Sequence, residues 1–203
     1  MIRLGLTGSI GMGKSTTAEM FRAQGVPVFD ADAVVATLYD KGGAAVPGIA
    51  ALTPSAVKEG AVDREALRQA VFADKELLPK IEALVHPLTL AAREAFAEQH
   101  AGASLAVFDI PLLFETGGAQ AMDKILVVTA PPDIQRDRVL ARPGMTLERF
   151  EAILARQTPD DQKRAQADFI LDTSKGLAAA EAEIARIIHD ACNRSRGDSD
   201  GPA

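Results

Sequence analysis

Gly8-Ser9-Ile10-Gly11-Met12-Gly13-Lys14-Ser15 is the stretch on which the reading turns. It fits GxxxxGK[ST] without a gap. Average residue usage produces the four fixed positions in roughly one chain of this length in a hundred, so the flanking sequence has to decide. An apolar run at residues 2–6 precedes the stretch, and good helix formers with helical spacing follow at 14–24. Strand, tight loop and helix is the order a phosphate cradle requires: glycines let backbone N–H groups converge on phosphate oxygens, and the helix N-terminus adds partial positive charge. Lys14 is then placed for the β- and γ-phosphates and the Ser15 hydroxyl for Mg²⁺. Gly8, Gly11, Met12, Gly13, Lys14, Ser15 and Thr16 are therefore the candidates for binding ATP. A dinucleotide fold would need GxGxxG here, and the spacing of Gly8, Gly11 and Gly13 does not supply it.

Outward from this loop, short runs rich in Val, Ile, Leu and Phe recur at 26–29, 105–108, 125–128 and 169–171. Each reads as a buried strand. Helical stretches lie between them, and after the last strand Leu177, Ile184, Ile187, Ile188 and Ala191 recur on one stripe of 177–193. Alternating strands and helices predict an α/β fold with a parallel sheet covered on both faces. Two intervals exceed a plain crossover. Residues 33–101 read as a helical insertion with turns at Gly42-Gly43, Pro47-Gly48 and Thr53-Pro54. Residues 135–164 read as a second, helical on either side of Arg142-Pro143-Gly144. The core is then about 1–32, 102–134 and 165–194, and the polar tail 195–203 is expected to be disordered.

The 203 residues are 47% apolar and 25% charged, as in a chain that builds a real core, and the net charge is −6. That balance excludes a protein that binds mainly by coating nucleic-acid phosphates. One cysteine and three histidines are thin material for disulfides or structural zinc. With no long apolar segment, neither membrane nor secretion is expected, and the cytoplasm is the predicted location. The second insertion runs against the overall charge, with seven bases and five acids through residue 164, so an anion is its expected ligand.

Carboxylates fall at predicted strand ends. Asp30 and Asp32 follow the second strand, on the sheet edge where ligands bind. Phosphoryl transfer to a hydroxyl needs a carboxylate to take the acceptor proton, and Asp32 is chosen for it, a helix N-cap being the alternative for either residue. Asp109 ends the third strand and can hold Mg²⁺ directly or through water, or cap the following loop. His86-Pro87 reads as a helix start, with Arg93 seven residues on and able to share its face. The alternative for His86 is a capping or core role. Arg138 and Arg142, four apart, are mounted to close on a polyphosphate, or else pair with Asp137 or Glu148.

The loop, VFDADAV at 28–34, HPL at 86–88, FDIPLLFE at 108–115, QRDRVLARPGMTLERFEAILARQ at 135–157 and ADFILD at 167–172 follow the order and spacing of one family. Over about residues 1–190 the chain resembles the dephospho-coenzyme A kinases. The resemblance implies a three-layer P-loop kinase fold with a five-stranded parallel sheet, a helical acceptor-binding domain at 33–101 and a lid at 135–164. It implies phosphorylation of the ribose 3′-hydroxyl of dephospho-CoA by MgATP, the last step of coenzyme A synthesis. Asp32 matches the family's base, Lys14 and Ser15 its phosphate and Mg²⁺ ligands, and Arg142 its lid arginine. His86, Pro87, Pro111, Leu112, Phe114 and Glu115 match the acceptor side and its support, where Arg93 is also placed. Where the family commonly has Asn at the end of the last strand, this chain has Asp172, which accepts from an adenine amino group but cannot donate when ionised. The competing readings are a nucleoside or nucleotide kinase on the same scaffold and a nucleotide-dependent switch. The partners expected are ATP and dephospho-CoA, with the protein a monomer or weak homo-oligomer.

Overall fold

The computed structural model describes residues 1–194; the tail expectation for 195–203 lies outside the described residues. Seven strands and nine α-helices occur among the described residues. In chain order they are β1 (Ile2–Thr7), α1 (Lys14–Ala23), β2 (Val28–Asp30), α2 (Ala31–Tyr39), α3 (Val46–Leu52), β3 (Val57–Lys58), β4 (Ala61–Val62), α4 (Arg64–Ala73), α5 (Leu77–Gln99), β5 (Leu105–Asp109), β6 (Lys124–Thr129), α6 (Pro132–Leu140), α7 (Leu147–Leu154), α8 (Asp160–Ala165), β7 (Phe169–Asp172) and α9 (Leu177–Arg194). The main sheet has the order β2-β5-β1-β6-β7, and β1 pairs parallel with β5 and β6. All five strands fall where the apolar runs placed them.

β1 is central and both faces of the sheet around it are covered: Leu4 and Leu6, Val107 on β5 and Leu126 and Val128 on β6 are enclosed on one face, and Ala106, Phe108 and Val127 on the other. That explains why these strands read as unbroken apolar runs rather than alternating ones. α1 and α9 cover the sheet through Phe21 and through Ala180, Ile184, Ile187 and Ala191. Here the sequence reading needs correction. Ala180, not Leu177, opens the buried stripe of α9, and Leu177 is 65% exposed. The 180, 184, 187, 191 spacing holds one face, whereas Leu177 stands in the first turn of the helix.

The chain divides into two compact units: residues 30–99 form one, and the flanking chain, with the main sheet, forms the other. The 30–99 unit has its own core of Val46, Ile49, Leu67, Leu77, Ile81 and Val85. It is not wholly helical. β3 and β4 make an antiparallel hairpin whose turn places Glu59 (φ 51°) and Gly60 (φ 81°) in the left-handed region. Strands of two residues are too short to register as a periodicity.

A second correction concerns His86-Pro87. They do not start a helix; Pro87 lies inside α5, which runs unbroken over 23 residues. A proline in a helix interior costs about 3 kcal/mol. Burying Ile81 and Val85, just ahead of it, contributes about 1.5–3 kcal/mol each and offsets that cost.

Candidate functional site

The phosphate loop leaves β1 at the buried Thr7 and Gly8 and enters α1 at Lys14. Gly11 and Gly13 have φ of 80° and 91°, which favour glycine, and a Cβ on Gly11 would lie 2.5 Å from Val139 Cγ2. The loop's amides divide into two sets. Ile10 N–H donates to Gln157 Oε1 at 3.0 Å and Met12 N–H to Ser9 O at 3.1 Å. The amides of Gly11, Gly13 and Lys14 have no backbone partner among the described residues. Met12 turns its side chain inward, where Sδ accepts from Ala130 N–H at 3.0 Å.

Lys14 Nζ, at the start of α1, pairs at 2.5 Å with Oδ1 of Asp109, the last residue of β5. Asp109 is 4% exposed. This ion pair places a cation and a carboxylate at the mouth of the loop. The Ser15 hydroxyl is exposed and has no protein partner among the described residues. Ser15 and Asp109 offer oxygen donors of the type Mg²⁺ takes, and no group of three or more His, Cys, Asp or Glu gathers elsewhere among the described residues.

Beside the loop lies a cleft of about 280 Å³ lined by Gly13, Thr16, Thr17, Arg138, Arg142, Thr173, Gly176 and Leu177. The Arg138 guanidinium is already anchored, donating to Thr173 Oγ1 at 2.8 Å and to Thr173 O at 2.9 Å. Arg142, one turn on and past the end of α6, is exposed, and its guanidinium has no partner among the described residues. Neither arginine pairs with Asp137 or Glu148. Asp172 does not line this cleft; it faces a second one with Met12, Pro131 and Asp160. Its carboxylate accepts from both the N–H and the hydroxyl of Ser174, and these bonds hold it below the usual range despite some desolvation, with help from Lys175 and Arg138. It is therefore ionised and already occupied.

After β5, Pro111 O accepts from the buried Thr7 hydroxyl at 3.1 Å, Leu112 is exposed and Phe114 half-buried. Glu115 Oε1 accepts from Thr158 N–H at 2.7 Å and pairs with Lys163 at 3.1 Å. Burial works to raise this carboxyl, but the Thr158 and own-backbone amides and Lys163 outweigh it and hold it low. Lys163, counted among the bases expected to meet an anion, is instead completely buried. Arg164 likewise pairs with Asp160, and Arg149 donates to Gly144 O, so much of the local positive charge is spent internally.

In the 30–99 unit, Asp30 is the N-cap of α2, accepting from Ala33 N–H at 2.9 Å. Asp32 sits in the first turn, exposed, with no hydrogen bond among the described residues. The N-cap alternative thus belongs to Asp30 alone. Within α5, His86 is exposed and Arg93 lies two turns on, its guanidinium 3.1 Å from Glu94 Oε1. Seven helical residues bring His86 and Arg93 within about 20° of one face.

Thr173, Gln135 and Gln157 carry polar wiring at the loop that sequence reasoning did not single out. Their partners are 35 to 161 residues away, and no local pattern announces such a bond.

Comparison with known proteins agrees with this geometry. The family model for dephospho-CoA kinase matches residues 2–179. A dephospho-CoA kinase of Mesorhizobium japonicum is 56% identical over 94% of this chain and 96% of its own, and one of Cereibacter sphaeroides is 58% identical over 92% and 93%. The crystal structure of TT1252 from Thermus thermophilus superposes with a TM-score of 0.79 at 35% identity, covering 93% of this chain and 96% of that one. A phosphate loop in the right strand order and a family match over most of the length lead to one conclusion: the chain belongs to the dephospho-CoA kinase family.

Proposed function

We propose that this protein transfers the γ-phosphoryl group of ATP to the ribose 3′-hydroxyl of dephospho-CoA, releasing ADP and coenzyme A, the last step of coenzyme A synthesis. The observation that carries the reading is the loop itself: three unpartnered amides at Gly11, Gly13 and Lys14 beside the Lys14–Asp109 pair. Those amides and the Lys14 ammonium bind the nucleotide's phosphates. The cleft lined by Thr17, Thr173 and Gly176 takes the nucleoside, with Arg138 held as its wall. Arg142, free at the end of α6, reaches the phosphates as residues 135–164 close as a lid and exclude water. His86 and Arg93, with the 111–115 segment, are assigned to the acceptor.

Asp32 accepts the 3′-hydroxyl proton as the oxygen attacks phosphorus in line. Its exposed, uncommitted carboxylate suits that role, whereas Asp30 is spent on its cap. Bound Mg²⁺ would neutralise charge on the phosphate oxygens. Ser15 and Asp109 would hold it, with phosphates and water completing its shell. Lys14 and the loop amides stabilise charge spread over the transferring group. Absence of a membrane-crossing helix among the described residues is compatible with the expected cytoplasmic site of action.

A coupled ADP-release assay offering dephospho-CoA, AMP, CMP and adenosine in parallel tests this, followed by locating the new phosphate on the product. ADP release with dephospho-CoA alone and a 3′-phosphate are expected. Release with AMP or CMP instead would transfer the reading to a nucleotide kinase, and binding of ATP with no stimulating acceptor would transfer it to a switch.

A further inference from the structure

One residue of the phosphate loop is gripped twice. Ile10 N–H donates to Gln157 Oε1 at 3.0 Å, and Ile10 C=O accepts from Gln135 Nε2 at 2.7 Å. Backbone chemistry fixes which end of each amide points inward, since an N–H needs an oxygen and a carbonyl needs an N–H. The two glutamines come from opposite limbs of one excursion of the chain: Gln135 from α6, ahead of the Arg142-Pro143-Gly144 turn, and Gln157 from the stretch that follows α7.

Both are themselves held. Gln135 is 5% exposed and its own carbonyl packs against the loop, 3.0 Å from where a Cβ on Gly11 would stand. Gln157 is fixed from behind by its N–H to Leu154 O at 3.0 Å and ahead by Thr158 N–H on Glu115, whose carboxylate also takes the buried Lys163. Glu115 therefore anchors the limb that carries Gln157.

The consequence lies in the pattern of loop amides. Gln157 diverts the Ile10 N–H away from the cradle, and Ser9 O does the same for Met12. Gly11, between these two tethers, and Gly13 and Lys14, beyond them, keep open amides. Rotation of the Ile10 peptide would turn Gly11 and break that alternation, because consecutive amides share backbone torsions. We propose that Gln135 and Gln157 are positioning residues: by clamping both polar groups of Ile10 from the two limbs of residues 135–164, they hold the phosphate loop in its polyphosphate-binding shape and link that shape to the lid. This rests on the reading that the loop binds the nucleotide's phosphates.

The test uses the full-length protein with Gln135→Met and Gln157→Met, which keep length and apolar volume but remove the bond, and the double variant. KM for ATP is expected to rise at least tenfold in each single variant, KM for dephospho-CoA to stay within twofold, and the affinity for inorganic tripolyphosphate to fall in step with that for ATP. Because both act through one residue, Ile10, the double variant is expected to fall no more than about twofold below the worse single. Unchanged KM for ATP in both, or equal rises for ATP and dephospho-CoA that multiply in the double variant, would overturn the clamp. If Gln135→Met does not fold, Gln157→Met, on a half-buried turn, decides the question. Should the wild type turn out not to use dephospho-CoA, tripolyphosphate titration of the same variants still judges the clamp separately from the acceptor.

Discussion

Around the phosphate loop Lys14 rests on Asp109, Arg138 on Thr173 and Glu115 on Lys163, whereas in the 30–99 unit the side chains of Asp32 and His86 stand exposed with no hydrogen bond among the described residues. The loop end is wired through the protein's own groups. The 30–99 unit is organised by an apolar core, and its chemical groups hang outside that core. Preorganised donors lower a barrier because they need not reorient as charge develops. An exposed carboxylate makes no such contribution until substrate orders it, and its value lies in proton transfer alone. Substitutions in the two regions should therefore fail differently.

The largest effect is expected at the unwired end. Asp32→Asn should lower kcat by about 10²–10⁴-fold, the usual worth of a positioned base, while ATP binding measured by calorimetry is unchanged. Normal turnover in that variant would remove Asp32 from the mechanism. Lys14→Ala breaks the wired end: a loss of about 10²–10³-fold in kcat, with weaker ATP binding as well, separates it from the first variant. Intact ATP affinity would sink the contrast.

Next comes stability. Glu115→Gln leaves the buried Lys163 ammonium uncompensated, which costs about 3–5 kcal/mol, and a thermal melt should show Tm falling by roughly 10 °C. The pH dependence follows in sign. Glu115 titrates below its ordinary range in the folded protein, so its stabilisation is complete above the unfolded value of about 4.3 and is lost as the pH falls through the lower folded value. Denaturant midpoints measured downward from pH 6 should decline more steeply in the wild type than in the variant. The smallest effect is expected at Phe72, an aromatic 89% exposed on α4. Phe72→Ser should change the unfolding free energy by less than about 0.5 kcal/mol, and a larger loss would mean that the 30–99 unit uses that ring.

How far these features could be read in advance follows from the range of the forces behind them. The five core strands and the loop were legible because each rests on a run of adjacent residues: Leu4 and Leu6 on a strand buried on both faces, then glycines at the positions a phosphate cradle needs. The hairpin around Glu59-Gly60 was not legible, being too short for a period. The continuity of α5 through Pro87 was misread because local preference favours a helix start there, and only the packing of Ile81 and Val85 into a core overrides it. The choice between Asp30 and Asp32 as N-cap stayed open until backbone geometry assigned the cap to Asp30. The basic character of residues 135–164 suggested an anion site, but Lys163 turned inward to a glutamate 48 positions earlier.

Residue order alone therefore settled the chemistry of this chain: a phosphate-gripping turn between a strand and a helix, with acids where strands end, because such features depend on neighbours a few bonds apart. Which of those groups are committed and which stand free was decided by the folded chain. Lys14 on Asp109, Gln135 and Gln157 on Ile10, and Glu115 on Lys163 join positions 48 to 147 residues apart, and a hydrogen bond or ion pair has a range of only a few ångströms. Nothing in the spacing of such residues announces that they will meet.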